Sequence, residues 1–415
     1  MDSKYFKLQS LVVIGTLCFA GCATYQTKVS TALGYLKSRQ FELAIQDLKP
    51  KAEEESKDQL VYLLDYSVAL QLGGKIKESN AAFLKADRLA NQLDYVSISK
   101  QTASLVFNEE QVQYKGDTFE KVFINAYLAM NFLELGDLNS ALVEARRLNE
   151  KYLKYRSDDK KAFELNFFGK YLSAIIWEAD RKFDDAYIAY EEASKIENSA
   201  PTLPSDLIRS AKAARRTEQY QKWKQTYPQV VEDPKWFDKG YGELIVIFQQ
   251  GWGPKKDVGN GSYRMPILRS IYNRTQQLQL KVAGDNPIEA VSEKIYDVNQ
   301  AAQKTLQDDY ALLATKRVAG VVTKEILADQ VRQKDEFLGF VTAIALHASD
   351  RADLRNWSTL PSSIQLIRTY LKPGEHMFSL IGLDSSQQPT SDSLIDQKVK
   401  IQAGKKTFII FRSLE

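Results

Sequence analysis

Residues able to do covalent or metal chemistry are few in this 415-residue chain. It has two cysteines, Cys18 and Cys22, and two histidines, His347 and His376. These are too few and too scattered for a zinc cluster or a disulfide scaffold. A Ser–His or Cys–His nucleophile needs its base within hydrogen-bond reach. His347 lies in an apolar helical run and reads as a core or helix-end residue, while His376 follows a Pro-Gly turn and reads as an exposed turn residue. Paired carboxylates remain for acid–base work. Asp350 and Asp353 are the best pair, beside Arg351, Arg355 and Trp357. Alternating acid and base there reads either as a salt-bridged cap joining helix to strand, or as a partner site or a site for an anionic or sugar ligand. In the latter, arginine would be the fork and tryptophan the platform. Gly251-Trp252-Gly253-Pro254-Lys255-Lys256 lacks the spacing of a phosphate loop and loses an amide donor at Pro254, so a hairpin loop is expected. No catalytic residue, metal ligand or cofactor site is assigned.

Cys22 carries a different chemistry. Lys4 and Lys7 precede an apolar run from Leu11 to Phe19, which ends in Phe19-Ala20-Gly21-Cys22. The run is too short to span a bilayer but suits a signal-peptide core. Small residues just before a cysteine resemble the bacterial lipobox, with Phe19 where leucine is usual. The resemblance implies that residues 1–21 are removed and that Cys22 is acylated on sulfur and amine. Three acyl chains, at about 0.8 kcal/mol per buried methylene, hold a protein to a membrane firmly. Ala23, rather than aspartate, implies the outer membrane by the same resemblance.

The elements that position these residues come from an ordinary globular composition, 44% apolar and 26% charged. Its net charge of +3 gives no footing for nucleic acid. Its length predicts two or three domains at roughly 100–200 residues each.

One spacing recurs over 28–200: small, large at +3, Gly or polar at +7, apolar at +9, small at +12, apolar at +16. Ala129, Phe132, Gly136, Leu138, Ala141 and Ala145 fit it. So do series beginning at Ala32, Ser67 and Ala174, with Arg39, Gly74 and Arg181 at the +7 turn. Two antiparallel helices per unit explain the pattern, with small residues at the close crossing and a left-handed cap at the turn. This resembles the tetratricopeptide repeat. Such a solenoid offers a concave binding groove.

Pro201, Pro204, Pro228 and Pro234 mark 201–240 as a boundary. Within it, 205–226 reads as one closing helix capped by Ser205, with a solvated basic face at Arg215, Arg216, Lys222 and Lys224. Beyond it, Glu243–Gln249 is β-branched and apolar, and Leu278, Leu280 and Val282 alternate with polar residues, so both read as strands. Asn260-Gly261 suits a hairpin turn. Asn286-Pro287, with Ile288, Val291, Ile295 and Val298 at helical spacing, opens a helical insertion expected over about 286–348. Strands return at 363–371, 376–383, 399–402 and 407–412, making one sheet or a small sandwich in the immunoglobulin style.

The expected fold is therefore α+β and multidomain. A leader (1–21) precedes a TPR-like α-solenoid (22–200), a capping helix and linker (201–240), and a β-domain (241–415) with the helical insertion. The stretches from Lys115 into AYLAMNFLELGDLNSALVEARRLNEKY and from Asp350 through DLRNWSTLP resemble, with the lipobox, a family of TPR-bearing lipoproteins of Gram-negative bacteria. The resemblance brings location and architecture, an association with envelope and peptidoglycan functions, and no activity. It leads to an expected periplasm-facing outer-membrane scaffold whose groove docks an envelope protein. The alternatives are a peptidoglycan- or sugar-binding or processing protein acting through 350–357, and an assembly factor of a secretion or pilus machine.

Overall fold

The computed structural model describes residues 25–97, 112–157, 166–196, 200–259, 265–284, 287–333, 338, 340 and 353–415. Cys18, Cys22, Asn260, Gly261, Asn286, His347, Asp350 and Arg351 lie outside the described residues.

Helix pairs come first: α1 (Tyr25–Lys37) with α2 (Phe41–Glu53), α3 (Gln59–Leu72) with α4 (Ile76–Ser97), and α5 (Thr118–Glu134) with α6 (Leu138–Ser157). Then come α7 (Phe167–Ala179) with α8 (Phe183–Ala193), and α9 (Leu203–Ala213) with α10 (Thr217–Thr226). Each turn puts one residue in the left-handed region: Arg39 (φ 58°), Gly74 (72°), Gly136 (71°), Arg181 (59°) and Arg215 (58°). The next amide then reaches back to an orphan carbonyl of the helix it ends, as in Gln40 to Tyr35 and Asp137 to Phe132, both 2.8 Å.

The fifth turn corrects the single closing helix expected over 205–226. The chain breaks at Ala214–Arg216, among residues that favour helix, because tertiary contacts reward the break. Arg216 grips Asp184 of α8 at 2.6 and 2.9 Å, and buried Trp223 donates to the Tyr187 hydroxyl at 3.2 Å. Ser205 is not the cap; it lies inside α9, which Thr202 precedes. The expected basic face is partly paired as well, since Lys224 reaches Glu232 at 3.3 Å.

The first helix of each of the three middle pairs is buried nearly all round. In α3 only Tyr66 and Leu72 escape full burial, and in α7 only Trp177 and Ala179. Such a helix must be covered on two sides. The second cover is a four-stranded sheet in the order β10 (Lys406–Arg412), β1 (Gly242–Gln250), β7 (Ser363–Leu371), β6 (Glu293–Asp297). β1 runs parallel to β10 and antiparallel to β7. Ile245 and Ile247 of β1, with Ile364 and Leu366 of β7, join the helical core. On the opposite face Leu244, Val246 and Phe248 share a second core with Leu278, Leu280 and Leu380. Those belong to another four-stranded sheet, β5 (Ile288–Val291), β4 (Gln277–Val282), β8 (Gly374–Leu383), β9 (Pro389–Ile401). The described chain therefore stacks helices, sheet and sheet, with β1 buried on both faces.

Two expectations change. The concave face of the repeats, left open for a partner by the sequence, is occupied by the chain's own central sheet and the segment before β7. The helical insertion also begins later than 286. Ile288–Val291 and Glu293–Asp297 are strands, because Ile288 pairs opposite Val282 and Tyr296 opposite Ile364. Asp297 caps the helix that follows, accepting from the Gln300 amide at 2.9 Å. This helix, α11 (Val298–Arg332), packs through Val298, Ala301, Ala302 and Thr305, its Tyr310 hydroxyl donates to the Pro266 carbonyl at 3.1 Å, and Ile326 farther along is exposed. At 1.5 Å per residue it is about 50 Å long. No helix among the described residues is long and apolar enough to cross a membrane. The hairpin β2 (Lys255–Val258) with β3 (Pro266–Arg269) flanks its base.

Candidate functional site

The segment before β7 carries the expected cluster. It runs as an extended strap over α1, α3 and α5. Asp353 Oδ1 accepts from the Arg355 amide at 3.0 Å and from its Nε at 2.8 Å, while Nη2 meets Oδ2 at 2.7 Å. Nη1 of Arg355 reaches Asp58, at the start of α3, at 2.9 Å, and the guanidinium lies 5.5 Å over the Tyr114 ring. Burial works against that charge, yet Asp353 and Asp58 hold it above the ordinary arginine value. Trp357 is 1% exposed, its ring 5.4 Å from Tyr127 and 5.9 Å from Phe83. Its amide donates to Glu120 at 2.8 Å and its indole N–H to Thr359 at 2.9 Å.

The helices answer the strap with buried polar side chains. Asp65 of α3 accepts from the Thr359 amide (3.0 Å), the Thr359 hydroxyl (2.9 Å) and the Tyr25 hydroxyl. Gln26 of α1 donates to the Leu354 carbonyl and to Asn356, both at 2.9 Å. Burial lifts Asp65 to about 7 and Glu120 to about 6, against those hydrogen bonds.

Asp353, Arg355 and Trp357 are thus brought together, as a salt-bridged fastener inside the molecule. Arg355 has its charge answered internally and Trp357 has no open face, so these three do not form an anion or sugar site. The partner ascribed to them is the chain's own helices. Asp350 and Arg351 lie outside the described residues. In the Gly251–Lys256 stretch, the amides of Gly251, Trp252 and Gly253 are taken by Ser413, Asn273 and the Leu360 carbonyl, so none is free for a phosphate. His376 bonds the Lys372 carbonyl at 2.7 Å in its turn. Among the described residues no group of His, Cys, Asp and Glu could hold a metal ion.

A second site was not anticipated. Where α7 and α9 meet the central sheet, three cations and three carboxylates are buried together. Arg368 of β7 meets Glu243 and Asp206 at 2.6 Å each and Glu178 at 3.2 Å. Arg209 pairs with Glu178 and, at 2.6 Å, with Asp206. Lys406 meets Glu178 at 3.2 Å and also Glu243. Desolvation brings the Lys406 ammonium down to about 7, aided by the two guanidinium groups and opposed by Glu243. The charges of Arg368, Lys406 and Arg209 overcome burial and hold Glu243 well below the usual carboxylate range.

This network floors a cleft of about 270 Å³. Its walls are Phe183 at the α7–α8 turn, Trp236 and Phe237 of the short 3-10 turn Pro234–Phe237, and Tyr241 and Tyr370. Phe183 is 37% and Phe237 46% exposed. Arg181, Lys235, Lys239 and Lys405 surround it against Asp238 alone. Lys235 lies 5.6 Å over the Tyr241 ring, and Arg181 reaches the Gly404 carbonyl at 3.3 Å. Lys235, Lys239 and Lys405 have no carboxylate partner among the described residues, so the floor is neutral and the rim is positive. The residues come from five separate stretches of chain. Several lay in elements the sequence pattern marked, Arg181 and Phe183 in a repeat, Arg209 in the expected closing helix, and Glu243 and Tyr370 in strands, but nothing in the pattern showed that they converge.

No protein-family model matches the chain, and no curated protein matches it. Solved structures similar to it are TPR-like repeat proteins. MamA AMB-1 has 10% identity over 49% of this chain and 89% of its own, with a TM-score of 0.31. A Podosopora anserina kinesin light chain with nearly identical TPR-like repeats has 13% identity, 49% and 93% coverage, and a TM-score of 0.32. MamA from Desulfovibrio magneticus RS-1 has 14% identity, 49% and 90% coverage, and a TM-score of 0.30.

Proposed function

We propose that this chain is a non-enzymatic adaptor of the bacterial outer membrane, facing the periplasm and held there by lipid on Cys22. Its protein partner docks at the cleft between the last repeats and the central sheet. The observation that carries the reading is the sealed concave face. With the repeat groove filled by the strap and sheet, the cleft is where paired frame and β-domain together offer unneutralised charge and part-exposed aromatic rings to another molecule. Support for the anchor comes from the residues before Cys22. The network beneath the cleft favours a rigid receiving surface, since each carboxylate is held by two or more cations.

The test is crosslinking in intact envelopes followed by recovery of the tagged full chain. The protein should bring down a defined partner, and Lys239→Glu combined with Lys405→Glu should abolish recovery while the fold is kept. Recovery that ignores those substitutions would overturn the cleft as the docking place. For the anchor, Cys22→Ser should leave a folded protein in the soluble fraction. Retention of that variant in the membrane pellet would overturn the lipid assignment.

A further inference from the structure

The cleft also specifies the chemistry of what it receives, and this inference rests on reading it as the docking site. Four observations bear on it. The rim carries uncompensated positive charge at Lys235, Lys239 and Lys405, above a buried network that is itself balanced. Exposed cations beside a low-dielectric wall attract anions at distances of about a Debye length, roughly 8–10 Å at ordinary salt. The walls are aromatic and part-exposed, an arrangement that favours a planar apolar group in offset or edge contact. Tyr370 also lines the cleft, and its hydroxyl carries no hydrogen bond among the described residues. The volume, about 270 Å³, lies just below the range of about 300–1,000 Å³ for small-molecule sites. That is room for one large side chain, with neighbouring charges left at the rim.

We propose that the cleft takes an acidic segment of the partner, burying one aromatic side chain against Trp236 and Phe237 while flanking carboxylates pair with Lys235, Lys239 and Lys405. Rim charges of this kind act mainly on the association rate and on salt dependence, and the buried aromatic contact sets the dissociation rate. A basic or neutral segment would forgo the first and face like charge at the mouth.

The full chain, purified in detergent, is titrated with a fluorescein-labelled blocked pentapeptide in which tryptophan is flanked by two aspartates on each side. The control peptide carries asparagines at those places. The aspartate peptide should bind at least tenfold tighter at low salt, and the advantage should fall severalfold at high salt. Lys239→Glu with Lys405→Glu should remove it, and Trp236→Ala should weaken binding of both peptides tenfold while the far-ultraviolet circular dichroism of the native fold is kept. Equal affinity for the two peptides, or indifference to the charge reversal, overturns the acidic specificity. If the peptides fail while envelope crosslinking still depends on the rim lysines, the acidic-segment inference falls and the docking reading stands. If crosslinking itself ignores those lysines, the docking reading falls with it.

Discussion

Asp65 shows how a single residue ties sequence to stability. It is fully buried, and it answers the strap through Thr359 and the N-terminal helix through Tyr25. Burial raises its folded-state value to about 7, from 3.8 when exposed. Between those values the folded protein holds the proton more tightly than the unfolded chain. The cost of the buried charge is therefore absent below about pH 4 and fully present above about pH 7, so this contribution to stability falls as pH rises through that window. Asparagine keeps an acceptor for Thr359 and turns a donor to the Tyr25 oxygen. Asp65→Asn should thus gain on the native protein by on the order of 2 kcal/mol between pH 5 and pH 8, read as urea midpoints. Parallel curves for the two proteins across that range would contradict the assignment. The sequence drew attention to Asp353, Arg355 and Trp357 through their alternating charges and the tryptophan. It could not reveal the buried partners Asp58, for Arg355, and Glu120, for Trp357, which lie 230 or more positions away and look like ordinary helix residues.

The helix pairs were legible because their signal is local. Small and large residues at fixed spacing specify the crossing, and the +7 residue specifies the turn. Gly136 sits there at φ 71° with nothing within 4 Å of a would-be β-carbon, so Gly136→Ala should lower stability by about 1 kcal/mol for purely conformational reasons. Gly34 also has open space, but lies inside α1 without a positive φ. Gly34→Ala should raise stability by up to about 1 kcal/mol. Thermal melts of the two variants moving in the same direction would refute this account of the turns. Arginine at three of the five turns blurred the signal, and at Arg215 it concealed a whole pair. The strands of 288–297 were misread for another reason: Ile288, Val291, Ile295 and Val298 fit helical spacing by coincidence, and pairing with β4 and β7 decided the matter. The run Glu243–Gln249 held more than was taken from it. Unbroken apolar character without alternation marks a strand buried on both faces, and so pointed to a layer of helices over the sheet.

At the scale of the whole molecule, the repeats and the β-domain share a hydrophobic core and are fastened by buried polar groups, among them the strap and the ionic network around Arg368. The strap was marked in advance by its alternating charges but its partners on the helices were not, and the network was not marked at all, because each assembles residues from distant stretches. Replacing Arg368 with methionine leaves Glu178, Asp206 and Glu243 facing only Arg209 and Lys406. Stranding buried charge in this way should cost about 3–5 kcal/mol, and amide exchange should accelerate in β7 and α9 together. A change below about 1 kcal/mol would mean that the network does not hold the two parts in place. The same junction is where the cleft opens, so the proposed docking surface requires frame and sheet to stay joined.

The most direct test of that central claim is site-specific photocrosslinking in intact cells. A photoreactive side chain is placed at Phe237 in the cleft and, for comparison, at exposed Val143 on α6. The account predicts one discrete protein adduct from position 237, lost on charge reversal at Lys239 and Lys405, and none from position 143. An adduct from 143 alone, or one from 237 that survives the charge reversal, would contradict it.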